Sequence, residues 1–151
     1  MEHKSLLYRP IPYTIQRRPM KLQPDKSNAP MVRAYGSGWI EVDHNKHIQS
    51  VLISSLADMP TCDWAPQRFE DLQALHLSPL AASGAELVIL GTGARLRFTP
   101  PAWLSAFAEH RVGLEIMDTA AACRTYNILA SEGRKVIAAL LIESDSTNSA
   151  D

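Results

Sequence analysis

The stretch Leu87-Val88-Ile89-Leu90-Gly91-Thr92-Gly93 decides the fold class of this 151-residue chain. A compact apolar run bounded by glycine is typical of a short strand that is buried on both faces of a sheet, here over residues 86–90. A helix start follows at Thr99-Pro100-Pro101, which provides a capping hydroxyl and a preset φ, and Gly113 is expected to end that helix. The chain therefore alternates strand and helix from residue 86 onward.

A second unit of the same kind follows directly. Residues 114–117 predict a strand, Asp118-Thr119 can cap the next helix, and residues 136–142 predict a last strand without polar alternation. The inward face of the intervening helix is expected to contain Ala122, Tyr126 and Leu129. Two successive strand–helix–strand units predict a parallel sheet with right-handed crossovers, and hence the α/β class.

The residues that precede this part predict an antiparallel hairpin and one helix. Residues 31–42 and 47–54 alternate apolar and polar side chains as two strands do, with turn residues at 43–46. Residues 63–77 predict a short helix that Asp63 can cap. The buried face of that helix is expected to contain Phe69, Leu72 and Leu75. Because the hairpin would extend or cover the parallel sheet, the chain predicts a single mixed α/β domain.

Charge and proline are distributed unevenly along the chain. The net charge of -1 is the sum of two opposite parts. Residues 1–33 contain seven basic and two acidic side chains, a net charge of +5, and the remaining residues therefore have a net charge of -6. The same basic part contains five of the ten prolines, which break helices and favour extended, unpaired backbone. We therefore expect a flexible basic, proline-rich lead-in over residues 1–30, a folded domain over 31–142 and a disordered tail over 143–151.

The composition excludes several classes of protein. With 46% apolar and 21% charged residues and only two cysteines, the chain is neither collagen, coiled coil nor a disulfide scaffold. Cys62 and Cys123 form no CxxC pair, which fits a reducing compartment. No apolar stretch approaches the roughly 18 residues that a membrane helix needs. The early prolines break the amphipathic helix of a mitochondrial transit peptide. Nucleic-acid binding is not expected, because the folded part is net acidic and lacks a basic stripe.

The candidate functional site lies at one edge of the predicted sheet. Ligands of open parallel sheets bind outside the carboxyl ends of the strands, where residues 91–95 and 118–121 form the loops. Glycine lets a ligand approach the backbone, a helix N-terminus favours an anion, and an arginine one turn further along can reach back. The candidate residues of this anion site are Gly91, Thr92, Gly93, Arg95, Asp118, Thr119, Arg124 and Asn127.

Each of these residues has a structural alternative. The Gly-Thr-Gly sequence is also typical of a tight turn, and Leu96 stands where a dinucleotide fingerprint needs its third glycine. Asp118 can be a general base or metal ligand, or merely a helix cap. Arg124 can pair with Asp118 or a surface carboxylate, and Asn127 can bond to a neighbouring loop. No catalytic constellation is complete, and the His44/His47 pair lacks a third ligand, so we expect no catalytic residue, metal or cofactor.

Two segments carry a family resemblance: residues 87–95, with the sequence LVILGTGAR, and residues 117–134, with the sequence MDTAAACRTYNILASEGR. They resemble the Mth938-like domain family, over about residues 32–142. The resemblance implies a single three-layer β plus α/β domain with a mixed central sheet, and it implies no catalytic residues. The family's mitochondrial member is an assembly factor of respiratory complex I, and its bacterial members are small cytosolic proteins.

The expected function is that of a non-enzymatic, protein-binding accessory or assembly factor, whose partner is another protein of a membrane complex. The alternative is a domain that binds a small anionic ligand, or an enzyme, through the candidate loops. Because the lead-in differs from a transit peptide, we expect a bacterial protein in the cytoplasm, where the basic lead-in allows peripheral contact with the inner membrane.

Overall fold

The computed structural model describes residues 28–144, so the predictions of a flexible lead-in and a disordered tail fall almost entirely outside the described residues. The strands are β1 (Val32–Gly36), β2 (Trp39–Val42), β3 (Asn45–His47), β4 (Val51–Ser54), β5 (Cys62–Asp63), β6 (Leu87–Gly91), β7 (Gly113–Met117) and β8 (Val136–Leu140). The helices are α1 (Ala74–Ala81), α2 (Ser105–His110) and α3 (Thr119–Ser131). Short 3-10 helices lie at Phe69–Asp71 and Pro101–Leu104.

The centre of the molecule is a mixed five-stranded sheet with the strand order β5-β4-β8-β6-β7. β6 is parallel to both β7 and β8, and β4 is antiparallel to β8 and β5. The two predicted strand–helix–strand units, from β6 through β8, are confirmed. The α/β class is confirmed as well, with β4 and β5 making the sheet mixed.

The central sheet is the middle one of three layers, and one layer covers each of its faces. β1–β3 form a second sheet, which packs together with α3 on one face, whereas α1 and α2 cover the other face. Successive residues of β8 and the segment after it alternate between the two cores. Val136, Ala138, Leu140 and Ile142 face α3, and Ile137, Ala139 and Leu141 face α1 and α2. A strand with an apolar core on both sides has no polar position, which explains its uninterrupted apolar run.

The predicted hairpin between residues 31–42 and 47–54 is wrong. The first of these segments contains a turn at Gly36-Ser37-Gly38 and forms two strands, with Gly38 at a φ of +75° that favours glycine. The predicted turn near Asp43 instead joins β2 to the three-residue β3. β4 leaves this sheet and pairs with β8, because all four of its residues are buried and it needs a core on each face.

The predicted helix over residues 63–77 is also wrong. Residues 62–63 pair with β4 as a short edge strand, and Trp64 follows in the core. α1 begins only after Gln73, whose backbone N–H donates to Nδ1 of His76 at 2.9 Å. Leu75, expected on the buried face, is 61% exposed, whereas Leu72 is buried. Strand pairing of residues 62–63 with β4 therefore overrides the local helical pattern at the start of this segment.

The helix that follows residue 100 forms, but its predicted ends are wrong. The Thr99 hydroxyl is buried and makes no hydrogen bond within residues 28–144. A capping hydroxyl accepts from the second or third helical N–H, and Pro101 has no N–H to donate. α2 ends at His110, its C-cap residue Arg111 has a φ of +54°, and Gly113 instead begins β7. The prediction that Asp118 caps α3 is confirmed: its Oδ1 accepts from the N–H of Ala121 at 2.8 Å.

Cys123 lies fully buried on the inward face of α3, and burial raises the pKa of its thiol to about 12. Above pH 9 the unfolded chain loses this proton while the folded chain keeps it, so stability is lost as the pH rises toward 12. We expect the free energy of unfolding to fall by up to about 1.4 kcal/mol per pH unit between pH 9 and pH 10. Urea denaturation across this range should show a clearly smaller loss for Cys123→Ala.

The matched control is Cys62→Ala, which removes an exposed thiol and should retain most of the loss of stability. An equal pH dependence for the wild type and Cys123→Ala would contradict this assignment.

Candidate functional site

The loop after β6 is organised by the hydroxyls of two threonines. The Thr92 hydroxyl donates to the carbonyl oxygen of Arg95 at 2.7 Å and accepts from the N–H of Arg97 at 3.1 Å. The Thr119 hydroxyl accepts from the N–H of Gly93 at 2.8 Å and donates to the carbonyl oxygen of Leu141 at 2.7 Å. Both hydroxyls therefore serve the chain itself, and they tie the loop to α3 and to the end of β8.

Several of the backbone amides that an anion would need are also used internally. The N–H of Thr92 donates to the carbonyl oxygen of Met117 at 2.9 Å, and the N–H of Thr119 donates to that of Gly93 at 2.9 Å. At the start of α3, Asp118 accepts from Ala121. A Cβ on Gly91 would lie 3.0 Å from Cα of Thr119, so this glycine permits the close approach of the two loops. Gly91 and Asp118 therefore both have structural roles, Gly91 in the close packing of the two loops and Asp118 as the helix cap.

A carboxylate of the chain lies where an external anion would approach the glycine loop. Arg97 donates through Nη2 to Oε1 of Glu143, and the same oxygen accepts from the N–H of Phe69 at 3.0 Å. A Cβ on Gly93, which has a φ of +92°, would lie 2.6 Å from Oε2 of Glu143. Glu143 therefore joins the segment after β8 to the loop after β6.

Arg97 is the centre of this cluster. Its Nη2 also donates to the carbonyl oxygen of Thr92 at 2.9 Å, its Nη1 lies 3.2 Å from Oε1 of Glu70, and its guanidinium lies 4.8 Å from the ring centroid of Phe69. Neither Arg97 nor Glu143 is among the predicted site residues, because Glu143 falls in the predicted tail and the predicted loop ends at residue 95. The only local signal is the Leu96-Arg97-Phe98 alternation.

A cleft of about 360 Å³ lies between the β1–β2 turn and the start of α3. Three of the eight candidate residues line it: Gly93, Asp118 and Thr119. Gly91 and Thr92 are buried outside this lining, and Arg95 is exposed outside it. The charged side chains in the lining are the carboxylates of Asp118 and Glu143, and the aromatic ones are Tyr35 and Trp39. The sheet edge thus brings the two predicted loops together, in surroundings of negative charge.

The remaining two candidates hold β1 against α3. Oδ1 of Asn127 accepts from the N–H of Val32 at 2.9 Å, and Nδ2 of Asn127 donates to the carbonyl oxygen of Val32 at 2.7 Å. Nη1 of Arg124 donates to the Tyr35 hydroxyl at 2.6 Å. Asn127 therefore bonds within the chain, as its structural alternative predicts, but to a strand and not to a neighbouring loop. The structural alternative for Arg124 predicts a carboxylate partner, but Arg124 instead bonds to a phenol.

Residues 28–144 contain neither a candidate metal site nor a candidate membrane-spanning helix. No group of three or more His, Cys, Asp or Glu side chains in this range could hold a metal ion. Nor is any helix there long and apolar enough to cross a membrane.

An apolar surface lies on the connection between β6 and α2. Phe98 is 71% exposed, and Leu96 and Leu104 are exposed as well. Arg97, between the first two, turns inward and has a side chain only 16% exposed. We call Leu96, Phe98 and Leu104 the apolar segment. Exposed large apolar side chains that lie on one connection make it a candidate interaction site.

The mixed sheet with a second sheet and a helix on one face, and two helices on the other, defines a three-layer β plus α/β domain. The family described as "Protein of unknown function (DUF498/DUF598)" matches residues 32–141, and the chain belongs to this family. The solution structure of a Mth938-like domain protein from Bordetella pertussis has a TM-score of 0.70 and 33% identity, and it covers 85% of this chain and 96% of that one. The resemblance to the Mth938-like family is confirmed.

Two relatives span most of the described range. An uncharacterised protein of Rhodobacter capsulatus is 35% identical over 119 residues, which are 79% of this chain and 90% of that protein. NADH dehydrogenase (ubiquinone) 1 alpha subcomplex assembly factor 3 of Xenopus tropicalis is 28% identical over 123 residues, 80% of this chain and 66% of that protein. The chain is therefore similar to a named assembly factor, over about two thirds of that factor's length.

Proposed function

We propose that this protein is a non-enzymatic accessory factor that binds another protein through the apolar segment during assembly of a membrane-bound respiratory complex. The observation that carries the proposal is the orientation of Leu96-Arg97-Phe98, in which the charged side chain is internal and the apolar ones face solvent. A solvated loop would be expected to have the opposite arrangement.

The contacts of Arg97 support a preorganised surface. Its bonds to Glu143, Glu70 and the carbonyl oxygen of Thr92 hold the backbone on which Phe98 stands. A loop whose backbone is already ordered loses less conformational freedom when a partner covers it. Exposed aromatic anchors of this kind dominate the energy of many protein interfaces.

The relatives support the kind of partner. The Xenopus tropicalis relative is named as an assembly factor of NADH dehydrogenase, so a subunit or assembly intermediate of that enzyme is the proposed partner. We propose that the protein acts in the bacterial cytoplasm, with peripheral contact at the inner membrane. Anion binding through the candidate loops stays a prediction. It is the weaker proposal, because several of the loop amides already bond within the chain and the carboxylates of Asp118 and Glu143 lie nearby.

The proposal is tested by affinity capture from detergent-solubilised membranes of the source organism, with the full chain as bait and NADH dehydrogenase subunits as the quantified product. Phe98→Asp is expected to lower their recovery at least about tenfold, because a charge then enters an apolar contact. The matched control is Ile48→Asp, since Ile48 is also exposed, at 70%, and lies between β3 and β4. Both variants should unfold at the wild-type urea concentration.

Equal recovery with wild type and Phe98→Asp, or no recovery of such subunits with the wild type, would contradict the proposal. A loss of sedimentation with anionic lipid vesicles in Phe98→Asp, without loss of subunit capture, would assign the apolar segment to a lipid surface and would contradict it too.

A further inference from the structure

β7 is an edge strand of the five-stranded sheet and has an open side. The N–H of Gly113 donates to the carbonyl oxygen of Glu86, and the carbonyl oxygen of Met117 accepts from the N–H of Thr92, so the odd-numbered residues of β7 bond to β6. In a parallel pair the alternate residues direct both backbone groups to the opposite side. The N–H and C=O groups of Leu114 and Ile116 therefore point away from the sheet, and no other segment within residues 28–144 bonds to them.

Each of the other sheet edges among the described residues has a feature that hinders pairing, and in β1 the register is irregular between Val32 and Ala34. The side chain of Asn127 satisfies both backbone groups of Val32 at the start of β1. β5 has only two residues, and β3 has three, of which Lys46 is a charged edge residue. Short strands, lysines and covering side chains are the usual ways in which proteins prevent edge pairing. β7 is five residues long and has no proline, lysine or bulge.

The side chains of β7 specify what can pair with it. Leu114 and Ile116 are partly buried against the core that α1 and α2 cover, and they leave apolar surface beside the open edge. Glu115 is exposed and is the single charged residue of β7. It forms no ion pair with another described residue. A partner residue opposite Glu115 would lie within about 5 Å and would interact with its charge.

This charge argues against a second copy of the chain. In a twofold antiparallel pairing that uses the outward groups of Leu114 and Ile116, Leu114 faces Ile116 of the other copy and Glu115 faces its own equivalent. Two carboxylates directly opposite one another destabilise a strand pair. A basic residue at the same place would stabilise it.

We infer that the open edge of β7 binds an extended segment of a partner protein in which a lysine or arginine stands between two apolar residues. Backbone hydrogen bonds to Leu114 and Ile116 provide the pairing, the basic residue faces Glu115, and its two apolar neighbours continue the surface of Leu114 and Ile116. This inference does not depend on the apolar segment, because it concerns backbone pairing at a different element.

The experiment joins the peptide Thr-Val-Lys-Val-Thr to the C-terminus of the full chain through a Gly/Ser linker of about 30 residues, which spans roughly 30 Å. Tethering raises the effective concentration of the peptide into the millimolar range. Hydrogen exchange by NMR is expected to slow at least about tenfold at the amides of Leu114 and Ile116, but not at Glu115, whose amide already bonds to β6. This alternation separates edge pairing from a general gain in stability.

The matched control peptide is Thr-Val-Glu-Val-Thr, which should slow exchange less than about twofold, and Glu115→Lys should reverse the preference between the two peptides. Equal slowing by both peptides, or by neither, would overturn the inference. Protection of the Leu114 and Ile116 amides in the untethered chain would overturn it as well. Protection that rises with protein concentration would indicate a second copy, and protection that is lost in a chain beginning at Asn28 would indicate pairing with residues 1–27.

Discussion

Replacing Arg97 with alanine is expected to lower the free energy of unfolding by about 3 kcal/mol, because it leaves Glu143 with no cationic partner in a largely buried position. The Arg97 and Glu143 side chains are 16% and 20% exposed, so water screens this pair less than it screens a surface pair. Arg97 also bonds to the carbonyl oxygen of Thr92, which the substitution leaves without that donor. Urea denaturation measures the loss.

The control for this prediction is Arg95→Ala in the same loop. Arg95 is exposed, and its removal should change the free energy of unfolding by less than about 0.5 kcal/mol. Glu143→Gln combined with Arg97→Ala should cost at least about 1 kcal/mol less than the sum of the single changes, since contacting residues are not additive. Additive costs, or equal costs for Arg97→Ala and Arg95→Ala, would show that the pair does not hold the loop.

Tyr126→Ala is expected to be the most destabilising single change that we describe, at about 4 kcal/mol. Tyr126 is fully buried in α3, between the central sheet and β1, and its hydroxyl donates to the carbonyl oxygen of Pro30 at 2.9 Å. Alanine leaves a large cavity and removes this bond. Tyr126→Phe keeps the ring and should cost only about 1 to 2 kcal/mol, for an acceptor left without its donor.

The matched control on the same helix is Ile128→Ala. Ile128 is exposed on α3, so its truncation should cost less than about 0.5 kcal/mol in urea denaturation. Domains of this size are stable by about 5 to 15 kcal/mol, so Tyr126→Ala would remove a large part of the total. If the alanine and phenylalanine variants lost the same stability, cavity formation would not be the main cause.

The second half of the fold was predictable because its signals are local. β6 is an apolar run that ends at glycine, α3 begins at a capping aspartate and shows a helical stripe, and β8 is apolar throughout. Each of these patterns lies within one element. The first half was not predictable in this way, because the partner of β4 is β8, which lies more than 80 residues further along the chain.

In the candidate site too, the features that depend on local sequence were predictable and those that depend on tertiary packing were not. The rule for parallel sheets correctly brings Gly93, Asp118 and Thr119 to one cleft. It does not decide where the side chains of Arg124 and Asn127 go, since that depends on β1 packing against α3. The Arg97–Glu143 pair joins residues that are 46 positions apart, and no pattern around Arg97 identifies Glu143 as its partner.

By itself the sequence determined the α/β class, the parallel β6–β8 units and the edge at which two loops meet, because apolar periodicity and glycine positions act within a few residues. Only the tertiary structure decided which strands pair in the first half, that a carboxylate of the chain lies against the glycine loop, and that Arg97 turns inward while Phe98 is exposed. These features depend on which distant segments bury one another. The physical reason is that burial and charge pairing are selected by the whole core, whereas helix caps and strand patterns are selected by neighbours along the chain.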